Sequence, residues 1–316
     1  MKNTRFGSTE LMVSPICVGT WSMGGGSFWG ASDDGECIAA IHAMLERGVN
    51  IIDTAPAYNG GRAEELVGKA VADRRDKVCI VTKSAVFDNP DPNGMPINDG
   101  TYQSILRQAE DSLRRLGTDY VDVLLMHWPD PATPLEESMR AYAELKKSGK
   151  ARYIGVSNFT VEQLEEANRY CKLDVFQLPY SLVDTAQKDR AEWAHAQGMA
   201  NMSYGSLGGG ILTGAYRTLP TFPEKDARSC FYQGFHEPYF SKVMGLLKIM
   251  DRIAEAHGTT PAQVAVKWIN ESGLIDTAIV GVRSVKKAIA NCEGLDWSMA
   301  EAEWQELEAY RQANLG

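Results

Sequence analysis

The chain lacks an apolar run of the length a bilayer-crossing helix needs, about eighteen residues. It also lacks a basic cluster and any cysteine pair at a spacing that would grip zinc or cycle a disulfide. Each absence excludes a class of protein. Without the apolar run, and with an opening MKNTRFGSTELMVSP that carries no signal-peptide core, a cytoplasmic location away from membranes is expected. With 32 basic against 41 acidic side chains, a formal charge of -9, neither nucleic acid nor anionic lipid is an expected partner. The six cysteines, at 17, 37, 79, 171, 230 and 292, fall mostly in apolar runs and read as buried free thiols. The five histidines show no metal-ligand spacing, so no metal is expected. Also missing is a G-x-G-x-x-G after the first strand, which removes the usual sign of a Rossmann fold. No Pro/Gly/Ser-rich linker or shift of composition divides the chain, and residues 1–316 are expected to form one domain.

What is present is an alternation of short apolar strands and amphipathic helices. A hairpin from Arg5 to Ser14 precedes a strand at 16–19; further strands end the segments GVNIID and VCIVTK, and others lie at 120–127, 151–156, 174–178, 199–204 and 277–282. Helices are predicted near 33–47, 62–73, 100–116, 134–148, 160–171, 185–197 and 240–257, from Pro261, and near 299–313. Eight strands linked by single helices favour right-handed crossovers and a closed parallel barrel, the (β/α)8 or TIM fold, with an N-terminal hairpin and extra helices. Residues 214–238, rich in Pro, Gly and aromatics, read as a long mobile loop after the seventh strand.

Chemistry gathers where apolar runs stop. Asp53, Tyr58, Lys83 and His127 follow three consecutive strand candidates, and a parallel barrel brings the carboxyl ends of its strands to one face. Any one of them alone is more often a surface or ion-paired side chain; the joint pattern points to one pocket. Two segments offer anion sites. YGSLGGGILTG, from Tyr204 to Gly214, presents backbone N–H groups unobstructed by side chains, and GVRSVKKAIAN, from Gly281 to Asn291, runs a strand into a cationic helix start.

These segments, with GVNIIDTAPAY, TK at 82–83, LLMHWPD, GKARYIGVSNF and FQLPYSL, resemble the aldo-keto reductases from about residue 5 to 297. The chain is similar to the bacterial aldehyde and sugar reductases and, more distantly, to potassium-channel beta subunits. The resemblance implies hydride transfer from NADPH, ahead of NADH, to a small aldehyde, sugar or cyclic ketone. It makes Tyr58 the general acid, Lys83 a cation that lowers the pKa of that phenol, Asp53 the partner of Lys83, and His127 a hydrogen-bond donor to the substrate carbonyl. Ser157, Asn158 and Gln177 would hold the nicotinamide carboxamide, with Tyr204 stacked on the ring. Gly19, Thr20, Trp21 and Asp53 would border its ribose side. Gly205, Ser206, Leu207, Gly208 and Gly214 would line the pyrophosphate, and Gly281, Arg283, Lys287 and Asn291 the adenosine end. Trp29 and Trp128 are candidate substrate walls, whereas Phe231 and Tyr232 suit either a wall or a cap on the barrel.

Three positions depart from the commoner pattern of that family: Asn59 where Gly is usual, Gly209 in place of a frequent basic residue, and Ala290 where some members carry an acid. Two other readings stand beside the reductase: a cofactor-sensing regulatory subunit with little turnover, and an aldolase using Lys83 as a Schiff-base nucleophile. No feature of the chain fixes an oligomeric state.

Overall fold

Strands buried on both faces need helices outside and packed side chains inside, and the chain meets both needs by closing on itself. The computed structural model describes residues 1–89, 96–293 and 295–315. Eight parallel strands close the barrel: β1 (Ile16–Gly19), β2 (Ile51–Asp53), β3 (Cys79–Ser84), β4 (Val121–Met126), β5 (Ala151–Ser157), β6 (Val175–Pro179), β7 (Ala200–Tyr204) and β8 (Thr277–Gly281). The seam is sealed where β8 pairs with β1, Val280 opposite Val18 and Gly281 opposite Gly19.

The helices start where their sequences say they should. Asp33 accepts the backbone N–H of Glu36 ahead of the helix Asp34–Leu45, and Thr160 and Thr260 form reciprocal capping boxes with Gln163 and Gln263. Gly117, in the left-handed region at φ 66°, ends the helix Tyr102–Leu116. Observed helix ends differ from the predicted ones by a few residues, as fraying termini do. Among the described residues no helix is long and apolar enough to cross a membrane.

The core has two parts. Inside the barrel Cys17, Ile51, Val81, Val123, Leu125, Val175, Met202 and their neighbours fill the axis, and Phe6 of the N-terminal hairpin plugs the far end from the strand tips. Outside, a larger cluster packs helices onto strands. Four cysteines, 17, 37, 79 and 171, are buried free thiols, whereas Cys292 is half-buried and Cys230 is exposed.

Gly155 shows how tight the axis is. A Cβ there would lie 2.2 Å from the Val175 carbonyl oxygen and 2.6 Å from Leu125 Cδ2. We expect Gly155→Ala to lower stability by about 1–3 kcal/mol, read as a fall in urea midpoint at unchanged m-value.

Residues 214–238 are the expected long segment after β7, and they carry local order. They contain a helical turn at Ala227–Phe231 and a tighter one at Gln233–Phe235. Tyr216, Phe222 and Phe235 pack edge to face with ring centroids 5.1 to 5.8 Å apart. The short helix has too few residues to be stable alone; it is held by Arg228 over the Phe222 ring, by Phe231 against Trp21 and Phe28, and by Asp226, whose side chain caps it.

Candidate active site

At the carboxyl ends of the strands the chain brings four proton-handling side chains together. Asp53 is the last residue of β2, Lys83 lies one residue before the end of β3, and His127 follows β4 directly. Tyr58 projects from the turn after β2. The Lys83 ammonium, with no exposed surface, donates to Asp53 Oδ1 at 2.8 Å, to Oδ2 at 2.9 Å, to the Thr54 carbonyl oxygen at 3.0 Å and to the Tyr58 hydroxyl oxygen at 3.0 Å. A buried ammonium is sustained only by such saturation. Gln177 Nε2 donates to Asp53 Oδ1 at 2.7 Å, which fixes the carboxylate from the far side of the barrel.

One expectation is reversed. Lys83 was to lower the Tyr58 pKa; instead burial, followed by the Asp53 carboxylate, holds the phenol well above its ordinary value. The Lys83 ammonium, 3.0 Å from the phenol oxygen, does not offset these two effects. The phenol therefore keeps its proton throughout the neutral range.

His127 sits edge-on to Tyr58, ring centroids 6.0 Å apart at 80°. Its Nδ1 is buried without a partner among the described residues. Burial first, then the Lys83 charge, pushes its pKa well below 6.5, so the imidazole is neutral. Between the lowered folded value and 6.5 the unfolded chain binds a proton that the folded chain refuses. The contribution to stability is thus complete above the unfolded value and is lost as pH falls below it. We expect the difference in urea midpoint between wild type and His127→Gln to shift against wild type as pH drops from 7 to 5, by an amount consistent with one titrating group, ~1 kcal/mol or more. A pH-independent difference would contradict the neutral imidazole.

The positions expected to meet a nicotinamide form a continuous polar patch next to this cluster. Tyr204, at the end of β7, donates to Asn158 Oδ1 at 2.7 Å; Asn158, at φ 66°, donates to the His127 carbonyl oxygen at 3.0 Å; Ser157 Oγ donates to the Gln177 carbonyl oxygen at 3.0 Å. Gly19 ends β1, and Thr20, fully buried, donates to the Asp53 carbonyl oxygen at 2.9 Å. Trp21 lies on the following turn, its ring 6.3 Å from that of Tyr58.

The pyrophosphate candidates follow β7. Gly205, Gly208, Gly209, Gly210 and Gly214 all have φ between 56° and 100°, and buried Ser206 is bonded back to Ser203. A Cβ at Gly205 or Gly210 would meet nothing closer than a tyrosine ring atom at 3.7 or 3.8 Å, so the glycines keep the backbone open to a ligand. Leu207 precedes this turn. Gly209 has a further reason to be glycine, since a Cβ there would strike the Tyr232 ring at 2.8 Å. Gly281 ends β8, and Lys287 is exposed on the helix Val285–Cys292. Asn291 Nδ2, on the same helix, is buried without a partner among the described residues. Such an unused donor, together with the open glycine turn, fits a dinucleotide as ligand.

Arg283 and the two tryptophans have surroundings that the sequence did not indicate. Arg283 spends one N–H on the Trp29 carbonyl oxygen at 2.7 Å, and no contact ties it to Asn291 or Lys287 among the described residues. Trp128 is 47% exposed, whereas Trp29 is half-buried with its ring edge-on to Trp21 at 5.3 Å. The Thr54 carbonyl, the bond from Asn59 to the Gly24 carbonyl oxygen and the contact of Phe28 with Phe231 at 5.5 Å were not legible in the sequence. A backbone acceptor has no sequence signature, and a contact across about two hundred residues has none either.

The sequence pattern described as "Aldo/keto reductase family" matches residues 15–312. The chain is 34% identical over 311 residues to "Aldo-keto reductase YhdN" of Bacillus subtilis (strain 168), covering 97% of this chain and 92% of that protein. It is 28% identical over 316 residues to the "NADH-specific methylglyoxal reductase" of Escherichia coli (strain K12), covering 96% of each. The solved structure of a glycerol dehydrogenase from Gluconobacter oxydans superposes with a TM-score of 0.90 at 32% identity, covering 99% of this chain and 96% of that one.

Proposed function

The chain belongs to the aldo/keto reductase family of oxidoreductases, and from that premise we propose that it reduces a small aldehyde or ketone to the alcohol with Tyr58 as proton donor. The observation that carries this reading is the 3.0 Å hydrogen bond from Lys83 to the Tyr58 hydroxyl oxygen, inside a cluster that keeps the phenol protonated. The bond from the ammonium stabilises the Tyr58 oxygen as its proton leaves, which offsets part of the rise that burial and Asp53 impose on the phenol.

In this reading Asp53 and Gln177 hold Lys83 in place, Lys83 holds Tyr58, and the neutral His127 stands beside the phenol to donate to the same substrate oxygen. Two donors aimed at one oxygen favour the state in which that oxygen gains negative charge. Ser157, Asn158, Gln177 and Tyr204 would hold the nicotinamide end of a cofactor, the glycine turn after β7 its pyrophosphate, and Arg283, Lys287 and Asn291 its adenosine end. When bound, the nicotinamide supplies the hydride. NADPH is proposed ahead of NADH because Arg283 and Lys287, two cations that follow β8, would suit a 2'-phosphate; one relative is named as NADH-specific, so both dinucleotides belong in the assay. Residues 1–316 act as one barrel domain in this scheme.

The Schiff-base reading loses its ground in the geometry. A nucleophilic lysine needs a free amine, and Lys83 is fully buried with four acceptors around its nitrogen. Borohydride added with a carbonyl compound should leave no adduct on it.

The deciding assay is oxidation of NADPH and of NADH, followed by absorbance, against aldehydes, 2-oxoaldehydes, sugars and cyclic ketones, with dissociation constants for both dinucleotides measured in parallel. Turnover of at least one carbonyl class supports the proposal. Tight cofactor binding with silence across the panel would move the reading to a regulatory cofactor sensor.

A further inference from the structure

The segment Trp21–Gly30 walls the mouth of the barrel beside Tyr58, yet it is poorly able to hold its own shape. Gly24, Gly25 and Gly26 stand in a row at its centre, the last two at φ 73° and 78°, and its helical turns, Trp21–Gly24 and Gly26–Trp29, are four residues each. Glycine carries the largest backbone entropy of any residue, so such a segment is ordered only by what grips it from outside. Its aromatic side chains nevertheless sit in defined contacts. Trp21 is 6.3 Å from the Tyr58 ring and 5.3 Å from Trp29, and Phe231 touches both Trp21 and Phe28, at 5.8 and 5.5 Å.

Two of the gripping groups come from other loops, and both take a backbone carbonyl of the segment. Asn59 Nδ2 donates to the Gly24 carbonyl oxygen at 2.7 Å, and Arg283 donates to the Trp29 carbonyl oxygen at 2.7 Å. Ser32 Oγ, just beyond the segment, takes a third, that of Met23, at 2.7 Å.

Asn59 is the residue next to Tyr58, and it replaces the glycine common at this place in the family. The turn demands a residue that tolerates positive φ: Asn59, Gly60 and Gly61 lie at 54°, 63° and 84°. Glycine would meet that demand as well as asparagine does, and asparagine is the usual side-chain-bearing alternative. What asparagine adds is the donor to Gly24. The fit around it is close, since a Cβ at Gly24 would lie 2.9 Å from the Tyr58 carbonyl oxygen and one at Gly26 would lie 2.9 Å from Asn59 Oδ1.

We propose that Asn59 is a positioning residue for the carbonyl substrate, tying the aromatic wall Trp21–Gly30 to the turn that carries Tyr58, with Arg283 pinning the far end of the same wall. The proposal rests on the reading of this site as a carbonyl reductase. A wall fastened to the Tyr58 turn keeps a fixed distance from the proton donor, so its loss blurs where the substrate lies without removing any group that moves a proton.

Asn59→Gly and Asn59→Asp separate this role from the demands of the turn. Both tolerate the positive φ, and neither can donate to Gly24. For the carbonyl compound that wild type turns over fastest, both are expected to raise KM about three- to tenfold, the loss of one hydrogen bond, with kcat and the cofactor dissociation constant changed by less than about twofold. Independently of turnover, hydrogen exchange of the amides at 21–30 should be faster in both variants while the barrel strands keep their protection. Unchanged exchange in Asn59→Gly would overturn the proposal, because the wall would then not depend on the bond. Faster exchange with an unchanged KM would overturn the substrate role. A wild-type protein that turns over no carbonyl would defeat the reductase reading and the substrate role with it, whereas an active wild type with silent variants in both measurements defeats this proposal alone.

Discussion

Tyr58→Phe is expected to cut kcat for carbonyl reduction by about 10²- to 10⁴-fold while leaving the fold and cofactor affinity nearly intact. The substitution removes one oxygen and keeps the ring, which packs beside Trp21 and His127. Lys83 loses one of four acceptors but retains Asp53 and the Thr54 carbonyl, so stability should fall by no more than about 1 kcal/mol. The whole effect should therefore lie in the chemical step. Wild-type reduction should also show no loss attributable to Tyr58 ionisation through neutral pH, because burial and Asp53 keep the phenol protonated there. Steady-state kinetics and an equilibrium cofactor titration on the same two proteins provide the check. A Phe variant with most of its kcat would mean that the proton comes from elsewhere, with His127 the next group to examine.

Some of this site could be read from sequence, and the reason is geometric. In a parallel barrel a strand buried on both faces is a short apolar run, and the position where the run breaks into Asp53, Lys83 or His127 is also where the strand reaches the open end. The barrel and the set of residues at its mouth follow from that coincidence. The sign of the Tyr58 shift does not, because it depends first on how deeply the phenol is buried and then on the nearness of Asp53, which only the folded structure decides. The helical turn at Ala227–Phe231 was not legible for a different reason: its Phe231 packs on Trp21 and Phe28, about two hundred residues away in sequence. The bond from Arg283 to the Trp29 carbonyl oxygen, 254 residues away in sequence, leaves no local trace either. Asn59 was visible as a departure from the common glycine, but its use as a donor to Gly24 needed the fold.

Lys83→Met tests the ion pair that organises the site, and its result should differ in kind from that of Tyr58→Phe. Asp53, 3% exposed, would lose its cation while keeping the Gln177 donor, so the variant is expected to be destabilised by about 3–5 kcal/mol as well as inactivated. Asp53→Asn strands the opposite charge: the ammonium keeps the Thr54 carbonyl, the Tyr58 oxygen and at most one amide oxygen as acceptors, but no counter-charge. Removing both charges together, in Asp53→Asn/Lys83→Met, leaves two neutral side chains of similar volume in the same space, and much of the lost stability should return. Activity should not return, since no ammonium then supports the Tyr58 oxygen. Urea unfolding of the four proteins gives the coupling energy between the two sites, which should be favourable and larger than 1 kcal/mol for charges held this close. If the double variant proved as unstable as Lys83→Met alone, the defect would be one of shape in the packed barrel mouth. Stability regained without turnover would instead separate two roles of one pair: each charge makes the other tolerable in the interior, and both are retained there because Tyr58 needs the cation.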